Sequence, residues 1–438
     1  MMLSACSSND DSIGGGETTR YAITFGANDG QLQSVTRASS NSPLSDKGYT
    51  EMKVYGYKTL DSKIQNVMPG YTMKFTNGSA NSSTTNSSGW EYVGLTDGSG
   101  AAVKDYLGLE QEIKYWDGNS TDYRFFGVLP TTSGDTKTYP KLTYKASSTA
   151  TDESVTDNWK KQDLSTDGSF TLTFEGLKYM VRKQTDDSED KAGSFAYYDA
   201  DNKEVKETDI PIYCHLWQGN PAGTTGSSSA ANYTQPVTLE FVKPYSLVRV
   251  AFERPAGSTT TQLGNPDEKD NSGNASDEHD ITFGPATSSS TIATSGDVTI
   301  TYPMKGSEET YAVNATTGSA TTTTLAKMSL GTLTLTDENK QYQASPEYVM
   351  VPTNASDSAM VNGDFKCTAY IYTENSSSTT GGSYEERTAT VPAQYMQWKP
   401  GYQYTYVFKV TANSGLEFSH VVEVYTKWQA GYVDETTW

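Results

Sequence analysis

Short stretches in which apolar and polar residues alternate recur along most of the chain, and they constrain its fold more than any other feature. In the stretch RYAITFGAND, Tyr21, Ile23 and Phe25 alternate with Ala22 and Thr24. A period of two places successive side chains on opposite faces of a strand, so that one face is buried. Stretches rich in Gly, Pro, Ser, Thr and Asn separate these segments and are typical of turns. The pattern predicts many short strands rather than helices.

The strand-like segments fall into two series, separated by the Gly/Ser/Ala-rich stretch GNPAGTTGSSSAANYTQP. A chain of 438 residues is long enough for two hydrophobic cores. Many short strands with regular turns are typical of β-sandwiches. We therefore predict an all-β protein with two tandem β-sandwich domains of antiparallel, Greek-key-type sheets. The first would span residues 38–235 and the second residues 236–438, with residues 1–37 ahead of them.

Charge and hydropathy argue against nucleic-acid binding and against a membrane-spanning helix. The formal net charge is −20, which would repel the phosphates of a nucleic acid. No run approaches the roughly 18 apolar residues that a membrane-spanning helix requires. We expect a protein with a solvent-exposed acidic surface.

The chain offers few groups for catalysis or for binding a metal. His215 follows Cys214 in a strand-like segment, and neighbouring side chains of a strand face opposite sides. His279 lies in an acidic loop as a single nitrogen ligand, which makes a weak metal site. The stretch DADNKE resembles a calcium loop, but Lys203 stands at a ligand position. We predict no catalytic residues, no metal and no cofactor.

The three cysteines fall into two kinds of context. Cys214 and Cys367 lie in strand-like segments, where free buried thiols are favoured over a disulfide bond. Cys6 ends the quartet LSAC ahead of a polar, glycine-rich run. This quartet matches the lipoprotein signal of bacteria, in which small residues precede a cysteine that is acylated on its sulfur. The alternative is an ordinary cysteine close to the start. We expect residues 1–5 to be the end of a longer signal peptide.

Six further stretches occur in one order over nearly the whole chain: SVTRAS, DYRFFGVLP, PVTLEFVKPYSLVRVAF, EYVMVP, WKPGYQYTYVFKVT and VVEVYTKW. Together with the LSAC quartet they resemble the Bacteroidales fimbrillins, which are the FimA-like and Mfa-like subunits of the type V pilus. Members often carry His where this chain has Lys243. The resemblance implies two transthyretin-like β-sandwiches and export to the outer membrane as a lipoprotein.

The resemblance also implies assembly by donor-strand exchange. An arginine-specific or trypsin-like protease cuts the subunit after an arginine, which releases its first strand and leaves a groove. A C-terminal strand of the next subunit then fills this groove, and the subunits form a head-to-tail filament that serves adhesion. The resemblance implies lipidation at Cys6 and cleavage between Arg37 and Ala38. The released strand would contain Tyr21, Ile23 and Phe25, and the donor strand would contain Val422, Val424, Thr426 and Trp428.

Alternatives remain for each of these roles. A cut at Arg20 would precede the first strand and leave the groove filled, so Arg37 is preferred, although it can also be an ordinary loop residue. The donor is expected within residues 416–438, which can also form the last strand of the second sandwich. A shaft subunit at the cell surface is the favoured function, with a tip or an anchor subunit as alternatives. A monomeric lipoprotein that binds glycans of a host or bacterial surface through Trp217, Trp398 or Trp428 is a further one.

Overall fold

The computed structural model describes residues 21–28, 44, 48–76, 90–106, 108–133, 136–154, 163–184, 195–219, 236–254, 257, 260–265, 267, 279–288, 290, 292–306, 308–316, 327–353, 363–373, 383–411 and 415–425. These residues form β-strands joined by turns, with 3₁₀ helices of one turn at Glu207–Asp209 and Ala393–Tyr395. The described part of the chain contains no α-helix. The prediction of an all-β protein is confirmed.

The strands are numbered in chain order. They are β1 (Phe25–Asn28), β2 (Glu51–Leu60), β3 (Lys63–Phe75), β4 (Trp90–Glu91), β5 (Asp122–Val128), β6 (Thr131–Ser133), β7 (Thr136–Thr138), β8 (Lys141–Lys145), β9 (Glu153–Ser154), β10 (Asp163–Leu164), β11 (Ser169–Lys178), β12 (Met180–Gln184), β13 (Phe195–Tyr198), β14 (Glu204–Val205), β15 (Tyr213–Cys214), β16 (Trp217–Gly219), β17 (Val237–Val242), β18 (Ser246–Glu253), β19 (Thr261–Leu263), β20 (Thr282–Pro285), β21 (Ser295–Pro303), β22 (Thr310–Thr316), β23 (Met328–Ser329), β24 (Leu333–Leu335), β25 (Gln341–Gln343), β26 (Glu347–Met350), β27 (Phe365–Thr373), β28 (Ser383–Val391), β29 (Tyr402–Val410) and β30 (Leu416–Tyr425).

The largest sheet closes on itself. Its strands follow the order β3, β2, β5, β15, β17, β1 and β4, and β4 pairs again with β3. Strands β10 and β16 join it as side branches on β3 and β5. Closure of a sheet removes exposed strand edges, because every strand of the ring has a partner on both sides. The short first strand β1 is one of the members that complete this ring.

A second sheet, in the order β22, β21, β11, β8 and β9, packs against one face of the ring. Every second residue of β21 is buried, as the period of two requires. Phe126 of β5 stacks on Tyr302 of β21 with ring centroids 4.1 Å apart. The buried Arg124 of β5 donates hydrogen bonds to the carbonyl oxygens of Pro303 and Gly306, at 3.1 and 2.8 Å. These contacts join the ring and the second sheet in the first hydrophobic core.

Two other sheets enclose a second core. One has the order β14, β13, β12, β26, β18, β29 and β30, with β25 on β18, and the other has the order β23, β20, β27, β19 and β24, with β28 on β27. Between them, Phe283 lies 5.0 Å from Tyr406, and Phe365 lies 6.0 Å from Trp398, as measured between ring centroids. The second core is therefore aromatic, like the first.

Strands cross the predicted division at residues 235/236 in both directions. β12, β13 and β14 precede it but belong to a sheet of the second core. β21 and β22 follow it but belong to the first core, to which they contribute Val298, Ile300 and Val313. The chain thus has two cores, as two units require, and the segments that build them are interleaved in sequence. The domain bounds stay a prediction.

The pairing is mostly antiparallel, with two parallel exceptions in the described residues. β1 runs parallel to β17, and β18 runs parallel to β29. The transthyretin-like topology of two tandem sandwiches stays a prediction, and the closed ring in the first core is a feature that the alternation did not indicate. Alternation indicates which face of a strand is buried, but it does not indicate which other strand it pairs with.

Cys214 and Cys367 are buried and free, which confirms the prediction for these two residues. In the described part of the chain, no helix has the length and apolar character needed to cross a membrane.

Candidate functional site

The first strand lies between two neighbours of the closed sheet. Phe25 pairs with Val237 in the parallel ladder to β17, and Gly26 pairs with Thr238. On its other side, Phe25 pairs with Trp90 of β4 in an antiparallel bridge. The strand β1 therefore joins β17 to β4 and completes the ring.

Main-chain hydrogen bonds continue on both sides of the residues that lead into β1. The amide of Ile23 donates to the carbonyl oxygen of Lys114 at 2.8 Å, and the amide of Trp116 donates to that of Tyr21 at 3.1 Å. On the opposite side, the amide of Val237 donates to the carbonyl oxygen of Thr24 at 2.8 Å. Residues 21–28, with β1 at Phe25–Asn28, are thus an integral segment of the first core rather than a segment that lies on its surface.

The inward side chains of this segment are fully enclosed. Ile23 and Phe25 are 0% exposed, and Ala27 is 8% exposed. The ring of Phe25 makes edge-to-face contacts with Phe125 and Tyr92, at centroid distances of 5.3 and 6.3 Å. Such contacts add to the stabilisation that comes from burial alone.

Tyr21 departs from the predicted pattern. The alternation assigns it to the same face as Ile23 and Phe25, but Tyr21 is 39% exposed. It precedes the paired strand and lies where the segment enters the ring, beside Trp116. The buried face of residues 21–28 therefore begins at Ile23, two residues before β1.

A buried tyrosine ties the backbone of this segment to the ring. The hydroxyl of Tyr92 donates to the carbonyl oxygen of Ile23 at 2.9 Å and accepts from the amide of Lys114 at 3.2 Å. Burial raises the pKa of Tyr92, so the phenol stays protonated and keeps its donor. Loss of the Ile23 carbonyl would leave this hydroxyl without that acceptor in a buried position.

The residues predicted for lipidation and cleavage, Cys6, Arg37 and Ala38, lie outside the described residues, as do Thr426 and Trp428 of the predicted donor strand. Val422 and Val424 are described and lie in β30, opposite Thr405 and Gln403 of β29. Both valines are half-buried. The structure therefore places the first half of the predicted donor at the end of a sheet of its own subunit.

β30 pairs only with β29 among the described strands, and its end is attached to the first core through a hydrogen-bonded chain. The hydroxyl of Tyr425 contacts Nε2 of His215, and Nδ1 of His215 contacts a carboxylate oxygen of Glu309. The other carboxylate oxygen of Glu309 accepts from the amide of Leu216 at 3.1 Å. These three side chains come from β30, from the turn after β15 and from the turn before β22. We call this chain the Tyr425 anchor.

Burial raises the pKa of Glu309, but the hydrogen bond and the charge of His215, together with hydrogen bonds from backbone amides, lower it by more, so the pKa lies below its ordinary value. Burial also raises the pKa of Tyr425, which keeps that phenol neutral. The Tyr425 anchor resembles a catalytic triad in its order of groups, but its terminal hydroxyl is not activated. Its geometry suits attachment of β30 to the first core.

Other nucleophiles and metal ligands are also poorly placed in the described residues. Burial raises the pKa of both the Cys214 and the Cys367 thiol, which opposes formation of the reactive thiolate. No group of three or more His, Cys, Asp and Glu side chains is arranged to hold a metal ion within the described ranges.

A cleft of about 310 Å³ opens where the chain after β15 diverges from β17, and its walls include Trp217, Gln218, Thr238 and Glu240. Trp217 is half-buried and lies 5.7 Å from the ring of Phe125. Of the other tryptophans predicted as glycan platforms, Trp398 is 1% exposed and packs in the second core, and Trp428 lies outside the described residues. Only Trp217 of these three is placed for contact with a ligand within the described part.

Sequence reasoning missed the Tyr425 anchor and two clusters of ion pairs, one around Glu347 and one at Lys243. Glu347 is 2% exposed and accepts from Arg182 at 2.9 Å and from Arg249 at 3.3 Å. Lys243 is 5% exposed and pairs with Glu207. All of these partners are far apart in sequence, so no local spacing marks them.

No family model and no curated protein matches this sequence. Solved structures that align with this chain include a candidate cell adhesion protein from Parabacteroides distasonis, at 10% identity and a TM-score of 0.31, with 94% of this chain and 98% of that chain covered. Another is a candidate cell adhesion protein from Bacteroides ovatus, at 10% identity and a TM-score of 0.29, with coverage of 93% and 96%. A candidate adhesin from Bacteroides thetaiotaomicron aligns at 9% identity and a TM-score of 0.23, with coverage of 94% and 98%. Likenesses this weak carry no argument about the family of this chain.

Proposed function

We propose that this protein is a structural subunit of a surface filament, most simply a shaft subunit of a fimbria, assembled when a protease releases the first strand. The observation that carries the proposal is the position of residues 21–28, which complete the closed sheet and bury Ile23 and Phe25 fully. A cut at Arg37 would separate this strand from the rest of the chain.

Loss of the strand would create a binding groove. It would expose the edges of β17 and β4, which carry unpaired backbone donors and acceptors. It would also expose the aromatic wall formed by Tyr92 and Phe125. Burial of one large apolar side chain is worth about 1.5–3 kcal/mol, so Ile23 and Phe25 together account for several kcal/mol. An open groove of this kind favours the binding of another strand.

A strand from a second copy satisfies both requirements. Backbone hydrogen bonds to β17 and β4 supply affinity, and alternate side chains entering the groove supply register. Because the groove and the donor lie at different places on the subunit, the contact is head-to-tail and produces a filament. The partners are copies of this chain, other filament subunits and an arginine-specific or trypsin-like protease.

In this scheme Cys6 holds the precursor in the outer membrane through its lipid, and the cut at Arg37 frees the subunit. A tip subunit would lack the donor segment, and an anchor subunit would keep its lipid and escape cleavage. Adhesion to a host or bacterial surface is the use that we propose for the filament, in keeping with the adhesion proteins to which this chain is weakly similar.

The test is in vitro polymerisation of the full-length purified precursor after treatment with an arginine-specific protease. We expect ladders of high molecular mass that resist SDS without heating, and subunits in them that begin at Ala38. The matched control is the variant Arg37→Gln, which should stay monomeric under the same treatment. Cleavage at Arg37 without ladders, or ladders formed equally by the Arg37→Gln variant, would contradict the proposal.

A second candidate function is glycan binding, which is favoured by the position of Trp217 in a cleft with amide, hydroxyl and carboxylate groups. Aromatic faces and such polar groups suit the apolar and hydroxyl surfaces of sugars. Binding of neutral oligosaccharides by a precursor that never polymerises after cleavage would favour this function over the first.

A further inference from the structure

We propose that the cleft beside Trp217 binds a neutral sugar only while the first strand is in place, so that the bound sugar and the first strand stabilise each other. This inference rests on glycan binding, the second candidate function, and does not depend on filament assembly. It adds which class of sugar the cleft takes and what controls its affinity.

The first strand supports one wall of the cleft through a backbone ladder. Thr238 of β17 belongs to this wall and pairs with Gly26 of β1. Glu240, the other residue of β17 in the wall, pairs with Asn28. On the opposite edge of β17, the ladder from β15 reaches no further than Phe241, so at Thr238 the only paired strand among the described residues is β1. The position of this wall therefore depends on the first strand.

Aromatic packing joins the opposite wall to the same strand. The ring of Trp217 lies 5.7 Å from that of Phe125, which lies 5.3 Å from the ring of Phe25, as measured between centroids. The ring of Trp116 lies 6.2 Å from that of Trp217 and 6.1 Å from that of Phe125. The amide of Trp116 also donates to the carbonyl oxygen of Tyr21 at 3.1 Å. Departure of the strand would therefore remove support from Trp217 as well.

The ring of Trp116 is positioned by packing rather than by a hydrogen bond. Its Nε1 atom is buried and has no hydrogen-bond partner among the described residues. A buried donor without an acceptor contributes no stabilisation of its own, so the place of this ring depends on its aromatic neighbours. One of them, Phe125, packs in turn on Phe25. The aromatic wall is therefore sensitive to loss of the first strand.

The groups in the walls favour a neutral sugar. The ring of Trp217 suits the apolar face of a sugar, and the amide and hydroxyl groups nearby suit its hydroxyls. The carboxylate of Glu240 accepts hydrogen bonds from hydroxyls and repels an acidic sugar. The imidazole of His215 is already engaged in the Tyr425 anchor. A volume of about 310 Å³ lies at the lower end of the range for small-molecule sites, which suits a disaccharide.

The coupling between sugar and strand has a defined magnitude. A ligand that binds only the closed sheet lowers the population of the open sheet by a factor of one plus the ratio of ligand concentration to Kd. At a concentration of about 100 times Kd, opening of the first strand should therefore become about 100-fold rarer. The coupling is reciprocal, so loss of the strand should weaken sugar binding by the corresponding factor.

Calorimetric titration of the uncut, full-length precursor tests the site. The neutral probes are lactose, cellobiose and mannobiose, and digalacturonic acid is the acidic counterpart. We expect at least one neutral probe to bind at millimolar concentration or below, and the acidic probe not to bind. The change Trp217→Ala should weaken binding at least about tenfold, whereas Tyr395→Ala, at an exposed aromatic residue of the second core, should not.

The change Gln218→Ala, at an exposed residue of the cleft, provides a second test that does not depend on the packing of Trp217, and it should weaken binding about threefold or more. Absence of binding by all three neutral probes, or binding that neither change affects, would overturn glycan binding at this cleft together with the present inference.

Hydrogen exchange in the uncut precursor tests the coupling. The amide of Ile23 donates to the carbonyl oxygen of Lys114 and reports on opening of the first strand. The amide of Met304, which donates to the carbonyl oxygen of Gly168, is a control beside the second sheet of the same core. With the neutral probe at about 100 times Kd, exchange at Ile23 should slow by up to about 100-fold, and exchange at Met304 should change far less.

Equal slowing at Ile23 and Met304 would show stabilisation of the whole core, and no slowing at Ile23 would show binding without coupling. Either result would overturn the coupling while leaving the sugar site standing. Because the precursor is uncut, these measurements are independent of whether cleavage at Arg37 leads to filaments.

Discussion

The change Phe25→Ala tests whether the first strand is integral to the folded precursor. Phe25 is 0% exposed and packs edge-to-face on Phe125 and Tyr92. Truncation of a buried Phe to Ala costs about 3–5 kcal/mol. Edge-to-face contacts contribute about 0.5–1.5 kcal/mol each beyond burial, which places the expected loss in the upper half of that range. The matched control is Tyr21→Ala, at a position that is 39% exposed, where a change within about 0.5 kcal/mol is expected.

The assay is urea unfolding of the uncut, full-length precursor, followed by tryptophan fluorescence. Trp90 is 1% exposed and pairs with Phe25, so it reports on the closed sheet, while Trp398 reports on the second core. The Phe25→Ala change should lower the midpoint of the first-core transition only. If Phe25→Ala and Tyr21→Ala have the same small effect, the first strand does not stabilise the ring and the reasoning fails.

The same change has a consequence for assembly. Each 1.4 kcal/mol alters an equilibrium tenfold, so a loss of about 3–5 kcal/mol raises the population with an open groove by roughly a hundredfold to a few thousandfold. The uncut Phe25→Ala precursor should therefore form SDS-resistant ladders slowly without protease, whereas the uncut Tyr21→Ala precursor should form none.

Three further predictions concern stability and reactivity. The change Glu347→Gln leaves the buried Arg182 and the half-buried Arg249 without their carboxylate, and it should destabilise the second core by about 3–5 kcal/mol in thermal unfolding; an unchanged melting temperature would contradict the buried network. Because the folded-state pKa of Glu309 is lowered, its contribution is present above its ordinary pKa and is lost as pH falls through the folded value. Protection of the Tyr425 amide against hydrogen exchange, corrected for the intrinsic rate, should therefore fall in acid, and Glu309→Gln should remove that pH dependence; equal profiles would refute the link. The thiols of Cys214 and Cys367 should react with a disulfide reagent only after unfolding, and rapid modification of the native protein would contradict their burial.

The sequence pattern predicted the faces of strands well. Alternation identified the first strand and the burial of Ile23 and Phe25, because side-chain direction follows from the period of two. It misjudged Tyr21, since the alternation continues by one residue beyond the part of the segment that is enclosed. Where a strand ends depends on its neighbours in the sheet, and these are not adjacent in sequence.

The partners of the strands could not be read from the sequence. Phe25 pairs with Val237, and β21 pairs with β11 across the predicted division, although nothing in either segment specifies the other. The Tyr425 anchor could not be predicted for the same reason, because its three residues come into contact only when β30 lies beside the first core. Closure of the sheet and interleaving of the two cores are therefore properties of tertiary packing.

The proposed shaft role and its alternative, the anchor role, differ in what happens to residues 1–37. A shaft subunit loses them and donates its C-terminal segment, whereas an anchor keeps both the lipid on Cys6 and the first strand. A cut at Arg20 would remove the lipid but leave Ile23 and Phe25 in the groove, so such a product could not accept a donor. The position of the cut therefore distinguishes the proposed shaft role from the anchor role.

The most direct test of the central claim is the N-terminus and mass of the protein sheared from the surface of cells that produce it. The account predicts a chain that begins at Ala38, found in SDS-resistant ladders of high molecular mass. A surface protein that begins at acylated Cys6 or at Tyr21 would retain the first strand, and either result would contradict assembly by strand replacement.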